Sequence, residues 1–484
     1  MRHITLARQL GYSTASMAVN MLLTPLLILL LTRNMPVESY GIYVLLSTFV
    51  ALGSIVLELA VSQYLTTKMP GKGEEKLKHL SSILVFFALL SAVMLLFAVI
   101  PQLTKVLAAM LSLSGYEAEL SLAVIVLSAA IIWRVVNAFL AANKRMEAKS
   151  SLDLVPTIAL VGGVALALAF GVIITIPLAL SFWLAGHIMA IGLALGLLIA
   201  RKEFRFMRPS WRYVKEGLGF SIHLVPGIVA SMVINLIGRY FINAYHGPVV
   251  VAYFSLAYAL ASLVNTLGTS VSIIFYPHIA EDVNMKKESR LLSAAMKYGL
   301  MIILPGMAIL IAMGKGLITL ISGPAFLEAY SAVPILAFFP LFWFLAYLYG
   351  QTLLLNNKPR AFGYYYVAAA AVNIGLNFLL IPGKGMIGAA WATVISYVFM
   401  LGIALVLWRK NLSWDFSYLR LERVALASLA IGLLLWALNP WTAVAKILSL
   451  LLAGIVYAGL ILLLRVFSKD ELALARSLIA NAFK

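Results

Sequence analysis

The chain has 484 residues, of which 63% are hydrophobic and 11% are charged, and its formal net charge at pH 7 is +18. A soluble domain averages about a quarter charged residues, so this composition excludes a soluble enzyme and a disordered chain. Cysteine is absent, which excludes disulfide bonds, a thiol nucleophile and a cysteine metal site. Membrane proteins keep their cytoplasmic loops basic, so the positive charge predicts no nucleic-acid partner.

Fourteen apolar runs follow one another along the chain, and each is long enough to cross a bilayer as a helix. They lie near residues 9–31, 40–67, 80–100, 118–143, 154–175, 178–200, 218–243, 249–277, 294–314, 331–356, 361–382, 386–408, 423–439 and 445–465. Lipid offers backbone amides no partner, and the runs are too long for barrel strands, so we predict helices throughout. The first run is too long for the apolar core of a signal peptide and is interpreted as a retained segment.

The basic residues are concentrated in every second loop, and this distribution gives the predicted orientation. With fourteen segments both termini lie on one side, and that side holds most of the 36 Lys and Arg residues. The loops of the other side hold only Arg33, Lys105, Lys315, Lys384 and Lys446. Since basic loops stay inside, we expect a multi-pass protein of the cell membrane with both termini in the cytoplasm.

A basic linker at residues 201–217 separates a lobe at 1–200 from a second lobe at 218–410. Met35-Pro36 precedes segment two as Gly247-Pro248 precedes segment eight, and six segments per lobe make the repeat parallel. Residues 411–484 add segments thirteen and fourteen and a cytoplasmic interfacial helix, which would begin at the capping box Ser468–Glu471. The predicted fold is therefore an all-α integral membrane protein with 14 transmembrane helices: two parallel six-helix lobes around a central cavity, plus two extra C-terminal helices.

No catalytic motif is present: the sequence has no Walker A, HExxH or GxSxG pattern. We therefore expect no enzyme activity and no cofactor. If the protein transports something, the process is passive or driven by a gradient of Na⁺ or H⁺.

Charges inside apolar segments are rare and costly, so each is a functional candidate. Glu58 shares a helical face with Ser54 and Ser62 in segment two. One interpretation is an ion-coupling or gating carboxylate, and the other is a structural hydrogen bond or buried ion pair.

Two arginines are the corresponding cations. Arg134 and Asn137 share a face of segment four, and Arg239 and Asn235 share a face of segment seven. A guanidinium fork suits phosphate, so these residues are candidates for binding an anionic headgroup. The alternative is that Arg134 pairs with Glu58 or Asp153 and that Arg239 extends to the outer interface.

Further candidates are polar residues on one face of segment eight and residues that would let segments one and seven bend. Tyr258 and Asn265 lie along one face of segment eight, either at a substrate cavity or in helix packing. Pro25 in segment one and Pro226-Gly227 in segment seven are predicted hinges because proline removes a helical hydrogen bond.

The sequence resembles the polysaccharide transporter family, which includes Wzx-type flippases and belongs with MATE exporters and MurJ-type flippases. The resemblance rests on four stretches, the last of which matches a short outer helix of the family. They are Leu31-Thr32-Arg33, Glu38-Ser39-Tyr40-Gly41-Ile42-Tyr43, the stretch from Arg239 through Gly247-Pro248 and Phe254-Ser255-Leu256-Ala257 to Tyr276-Pro277, and Leu317 to Phe326.

The resemblance implies a two-lobe bundle that flips lipid-linked oligosaccharide from the cytoplasmic to the outer leaflet by alternating access. Its partners would be that substrate, membrane lipids, and a polysaccharide polymerase or glycosyltransferases. The family often has Asp where this chain has Gly238, so the inherited ion pair at Arg239 is missing. The competing hypotheses are a MATE-type ion-coupled exporter of small molecules, in which Glu58 binds the ion, and a scaffold for a surface-assembly complex.

Overall fold

The computed structural model describes residues 2–281, 285–355, 359–408, 419–467 and 471. Throughout these ranges the regular elements are helices, numbered here α1 to α19. In chain order they are α1 (Arg2–Asn34), α2 (Val37–Glu58), α3 (Val61–Lys68), α4 (Glu75–Val99), α5 (Pro101–Met110), α6 (Glu117–Ala142), α7 (Met146–Leu152), α8 (Val155–Ala169), α9 (Ile176–Ala200), α10 (Trp211–Ser221), α11 (Val225–Leu236), α12 (Gly238–His246), α13 (Pro248–Glu281), α14 (Met285–Ile321), a 3₁₀ helix (Pro324–Ser331), α15 (Val333–Leu336), α16 (Phe339–Leu355), α17 (Pro359–Trp408), α18 (Leu421–Leu438) and α19 (Ala443–Leu463).

Thirteen stretches of the described chain are helical, long and apolar enough to cross a membrane, with mean hydropathies from 1.6 to 2.8. The predicted all-helical membrane fold is confirmed. One of the thirteen, Arg360–Val406, has 47 residues. A helix of that length would span about 70 Å, more than twice the roughly 30 Å of the hydrocarbon core.

A turn at Gly385 divides α17 into two arms. Gly385 has φ 53° and ψ −132°, which is not helical. A Cβ atom at Gly388 would lie 2.4 Å from the carbonyl oxygen of Leu380, although eight residues of straight helix span about 12 Å. The chain therefore reverses here, and the arms correspond to predicted segments 361–382 and 386–408. This helix accounts for the difference between fourteen predicted segments and thirteen stretches.

Several predicted segments are interrupted where the sequence pattern indicated one helix. Segment two consists of α2 and α3, and segment seven consists of α10, α11 and α12. Near predicted segment ten, α15 precedes α16. The short outer helix expected at 317–326 is also displaced: residues 317–321 complete α14, and the short helix begins at Pro324.

One compact unit comprises Met1–Ser255 and Arg360–Ala389. Its centre is α6, where 72% of the most apolar stretch is buried. Helices α2, α3, α4 and α9 pack around α6. The small side chains Ala123, Ala138 and Ala142 of α6 are buried and allow close packing.

The other compact unit comprises Leu256–Pro359 and Ala390–Lys484. The two extra helices α18 and α19 pack on α14 through a cluster that includes Met313, Ile431 and Ala453. The predicted division into lobes at 1–200 and 218–410, and their parallel repeat, stay predictions.

The predicted interfacial helix at 468–484 lies outside the described residues except for Glu471. The carboxylate of Glu471 accepts hydrogen bonds from Lys297 Nζ at 2.9 and 3.0 Å and from the Tyr298 hydroxyl at 2.8 Å. Lys297 is only 1% exposed. This carboxylate therefore neutralises a buried lysine of α14, a contact that the capping-box interpretation did not foresee.

Candidate functional site: a buried ion pair at a helix break

The helix of predicted segment two stops at Glu58, although apolar residues continue beyond it. Leu59 (φ 53°, ψ 33°) and Ala60 (φ 58°, ψ 22°) both adopt the left-handed conformation, and α3 begins at Val61. For residues with a side chain this conformation costs about 1–2 kcal/mol each. Such strain persists only where surrounding contacts hold it in place.

The Glu58 carboxylate supplies those contacts. It accepts the backbone N–H of Ser62 at 2.8 Å, and it also accepts the Ser62 hydroxyl. Its second oxygen forms an ion pair with Arg134 Nε of α6. Glu58 is 1% exposed, so its charge depends on these partners. The carboxylate thus closes the first turn of α3 and neutralises Arg134 at the same time.

Arg134 lines a cavity of about 390 Å³ inside the first compact unit. Polar atoms of Gln63, Thr66 and Asn137 and the rings of Trp133 and Trp183 contribute to its wall. The side chain of Arg134 is 39% exposed, so its guanidinium is in contact with the cavity as well as with Glu58. A cavity with polar wall residues among membrane-spanning helices has room for a polar or charged ligand.

A second charged pair lies on the same cavity wall. Asp153 accepts a hydrogen bond from Asn137 Nδ2 at 2.6 Å and from Lys149 Nζ at 3.0 Å. Of the two partners expected for Arg134, the structure therefore selects Glu58, and Asp153 pairs with Lys149. The two cations that line the cavity, Arg134 and Lys149, each have a carboxylate partner, so the cavity has no large net charge.

Arg239 lies on α12 and contacts α2 at another level. Its Nη1 donates to the Thr48 hydroxyl at 3.0 Å. The neighbouring Tyr240 hydroxyl donates to the Leu45 carbonyl at 3.0 Å. Thr48 and Glu58 are ten residues apart on α2, or about 15 Å along the helix. The two arginines therefore contact α2 at well-separated positions along its axis. Asn235 donates to the Ser231 carbonyl of its own helix.

Close backbone packing joins α2 to the start of α13, at the end that the charge distribution assigns to the outside. A Cβ atom at Gly41 would lie 1.9 Å from the Pro248 carbonyl oxygen. Asn243 Nδ2 donates to the Ser112 carbonyl at 2.6 Å. Only glycine permits this approach of α2 to the start of α13.

At the opposite end, Tyr64 of α3 joins two other elements. Its hydroxyl donates to Glu216 of α10 at 3.0 Å and lies 3.0 Å from His79 Nδ1 of α4. This cluster was not predicted, because the partners are 15 and 152 residues apart and the sequence carries no local signal for them.

The other predicted residues have these positions. Tyr258 is buried and stacks on Phe339 at 5.2 Å, so its ring belongs to the packed interior of the second unit. Asn265 is half-buried on α13.

Pro25 lies inside the continuous helix α1. Pro226 begins α11 directly after the turn at 222–224, and Gly227 lies against Gly363. Within the described residues no three His, Asp or Glu side chains are arranged to hold a metal ion.

Comparison with solved structures shows which fold this is. The lipid II flippase MurJ in an inward closed conformation superposes with a TM-score of 0.78 at 16% identity, over 94% of this chain and 98% of that chain. A multidrug resistance MATE transporter in an inward-facing conformation superposes with a TM-score of 0.64 at 12% identity, over 80% of this chain and 93% of that chain. At these identities the likeness shows a shared fold.

Sequence comparison gives the family. An uncharacterised membrane protein of Methanocaldococcus jannaschii is 24% identical over 280 residues, which are 55% of this chain and 54% of that protein. The match thus spans about half the length of this relative. The model of the polysaccharide biosynthesis protein family matches residues 30–331, more than half of the chain. The chain, an α-helical membrane protein with a MurJ- and MATE-like fold, therefore belongs to the polysaccharide biosynthesis protein family.

Proposed function

We propose that this protein moves a lipid-linked oligosaccharide, carried on a polyprenyl phosphate or diphosphate, from the cytoplasmic to the outer leaflet of the cell membrane. The buried Glu58–Arg134 pair beside a polar cavity is the observation that carries the proposal. Membership of a polysaccharide biosynthesis family favours a saccharide substrate. The fold shared with a lipid II flippase favours a lipid-linked one.

The substrate phosphate replaces the Glu58 carboxylate on Arg134. Arg134 presents a fork that suits two phosphate oxygens better than a single point contact. Glu58, once released, would be a buried charge without a partner, which costs several kcal/mol. It therefore takes up a proton or Na⁺. Exchange at Arg134 thus gives transport a route to ion coupling.

Arg239 contacts the substrate headgroup at a second position along α2. Since the contacts of Arg134 and Arg239 on α2 are about 15 Å apart, one diphosphate does not bridge both in this conformation. We propose that the headgroup meets the two arginines in succession. Bending at Pro25, at Pro226-Gly227 and at the Leu59-Ala60 break accompanies the change of access.

A flipping assay in vesicles tests the proposal. Fluorescent polyprenyl-diphosphate saccharide is placed in both leaflets, and an impermeant quencher reports the rate of exchange. We expect Arg134→Ala and Arg239→Ala to slow flipping at least about tenfold, which corresponds to 1.4 kcal/mol of transition-state free energy. Lysine at either position should rescue only partly because the fork is lost. Arg205→Ala, in the exposed part of the linker, is the matched control. Wild-type rates in both single variants and in the double variant would refute the headgroup role.

A MATE-type exporter is the second candidate, and one observation keeps it open. Unpaired cations in the cavity would repel a cationic substrate, but Arg134 and Lys149 each have a carboxylate partner. The same vesicles loaded with a cationic dye decide between the two. Gradient-driven dye efflux that depends on Glu58, without flipping of the lipid-linked saccharide, would favour the exporter.

The proposed orientation can be tested because the chain has no cysteine. Ser112→Cys and Ser210→Cys each place one thiol at an exposed position, on opposite predicted sides. An impermeant maleimide applied to intact cells should label Ser112→Cys and leave Ser210→Cys unlabelled until the membrane is opened. The reverse pattern would invert the topology. Association with a polymerase or with glycosyltransferases stays a prediction.

A further inference from the structure

A second cavity lies in the second compact unit, at the end of the two extra helices. It has a volume of about 460 Å³ and lies where α14 and α18 end. Met313, Lys315, Tyr330, Trp436 and Asn439 contribute to its wall. None of these residues belongs to the site described above.

One lysine lines this cavity, and a second lies beside it. Lys315 Nζ lies 5.1 Å from the centre of the Tyr330 ring. Lys446, in the first turn of α19, donates to the Thr319 hydroxyl at 2.7 Å. Its Cε lies 3.6 Å from the Cβ position of Gly316, which lines the cavity. Both ammonium groups are therefore held at the same end of the unit.

Neither lysine is neutralised by the described part of the chain. No described carboxylate lies within 4.0 Å of Lys315 or Lys446. The first turn of a helix is its positive end, so the position of Lys446 adds to the positive potential. The contacts with Tyr330 and Thr319 orient the ammonium groups without removing their charge. The cavity is consequently a positive site that suits an anion.

Both lysines lie on the predicted outer side of the membrane, where basic residues are rare. Arg33, Lys105, Lys315, Lys384 and Lys446 are the only basic residues that the charge distribution assigns to the outside. In the structure Lys315 lies in α14 and Lys446 in α19. The positive-inside rule explains why loops on that side are poor in lysine, and it gives no reason for two lysines at one cavity. A ligand gives such a reason.

The surroundings indicate that the anion is carried by a lipid. Trp436 is 71% exposed and Trp441 is 87% exposed at the helix ends, where indole rings mark the boundary between headgroups and acyl chains. Leu433 and Leu429 of α18 and Leu448 of α19 are exposed below them. An acyl chain can lie along these side chains while the phosphate reaches the lysines.

We propose that the cavity lined by Lys315, Tyr330 and Trp436, with Lys446 beside it, binds the phosphate of an anionic lipid in the outer leaflet. The site takes a phosphate with a lipid tail, and its lysines select charge. It is independent of the transport proposed above, because it uses none of the same residues.

Native mass spectrometry of the full-length protein tests the site. The protein is exchanged separately into phosphatidylglycerol, polyprenyl phosphate, phosphatidylcholine and inorganic phosphate, and retained ligand is measured. Near a membrane surface each lysine contributes about fivefold to the binding of an anionic lipid. We therefore expect Lys315→Gln and Lys446→Gln each to reduce retention about fivefold and the double variant about thirtyfold. The matched control Lys105→Gln, at another exposed lysine of the same side, should retain ligand as the wild type does.

Each outcome decides the proposal. Retention of phosphatidylglycerol or polyprenyl phosphate that is lost in the double variant supports it, and the stronger ligand identifies the lipid. Retention restored in Lys315→Arg/Lys446→Arg supports it as well, because the charge is kept. Equal retention of phosphatidylcholine, equal retention in the double variant with intact helical content, or binding of inorganic phosphate as strong as that of the lipids would overturn it.

Discussion

The hydroxyl of Ser221 donates a buried hydrogen bond of 3.1 Å to the backbone carbonyl of Ala60, 161 residues away in sequence. Ala60 belongs to the break between α2 and α3, and Ser221 is the last residue of α10, directly before the turn at 222–224. Two helix interruptions are thus joined to each other. We expect them to change together when the protein changes conformation, because straightening one segment would remove a bond of the other.

The first prediction concerns the ion pair. Glu58→Gln leaves Arg134 without its carboxylate and removes a charged acceptor from Ser62. Loss of one partner of a fully buried pair costs about 3–5 kcal/mol. Arg134 is 39% exposed, so we expect a smaller loss of about 1–3 kcal/mol, seen as a lower thermal midpoint. Arg134→Gln combined with Glu58→Gln should cost less than the sum of the single changes. Glu74→Gln, at an exposed loop position, is the control. Additive losses would show that the pair is not energetically coupled.

The second prediction concerns Gly41. In Gly41→Ala the new methyl group would meet the Pro248 carbonyl oxygen at 1.9 Å, and backbone atoms must move to accept it. Overpacking of this kind costs about 1–3 kcal/mol or more. The matched variant is Gly162→Ala, whose new methyl group has no atom within 4 Å and whose helix should gain up to about 1 kcal/mol. Thermal unfolding in detergent should rank the two variants on opposite sides of the wild type. Equal midpoints would disprove the close approach of α2 to the start of α13.

The third prediction concerns Tyr64. Tyr64→Phe keeps the ring but removes the hydroxyl that contacts Glu216 and His79. A hydrogen bond to a charged group contributes about 1.5–3 kcal/mol at most, and less where the acceptor is half exposed, as Glu216 is. We expect a loss of about 1 kcal/mol in thermal unfolding. Glu216→Gln should cost less in the Tyr64→Phe background than alone. An unchanged cost of Glu216→Gln would mean that the two side chains do not interact.

The fourth prediction is a pH dependence at the start of the basic linker. Arg145 Nε donates to the two carboxylate oxygens of Glu203 at 3.0 and 3.2 Å. This hydrogen-bonded pair lowers the pKa of Glu203 below its usual value of about 4.3. A lowered carboxyl pKa gives stability that is complete above the usual pKa and is lost as the pH falls through the folded-state pKa. Glu203→Gln should therefore lower the thermal midpoint at pH 7, and the difference from the wild type should shrink as the pH falls below the usual carboxyl pKa. A difference that does not shrink on acidification would contradict this origin.

Sequence reasoning predicted the helical membrane fold and most helix bounds because apolar length is a local property. The reversal at Gly385 was also predictable, since Pro382-Gly383-Lys384-Gly385 interrupts the apolar run. The break at Leu59-Ala60 was not, because neither residue favours the left-handed conformation. It is held by Arg134 and Ser221, which are distant in sequence. Glu58 was identified as a candidate from its charge and its polar helix face. Sequence reasoning left Glu58 and Asp153 as alternative partners of Arg134, and the structure decides for Glu58.

The left-handed pair Leu59-Ala60 also has a consequence for the balance between conformations. Two side-chain-bearing residues in this conformation store about 2–4 kcal/mol. A state in which α2 and α3 join into one regular helix releases that energy, which corresponds to a population ratio of about thirtyfold to a thousandfold. The Glu58 carboxylate opposes this release while it is bound to Arg134 and Ser62. Loss of the contacts of this one carboxylate would therefore shift the balance toward the state with the joined helix.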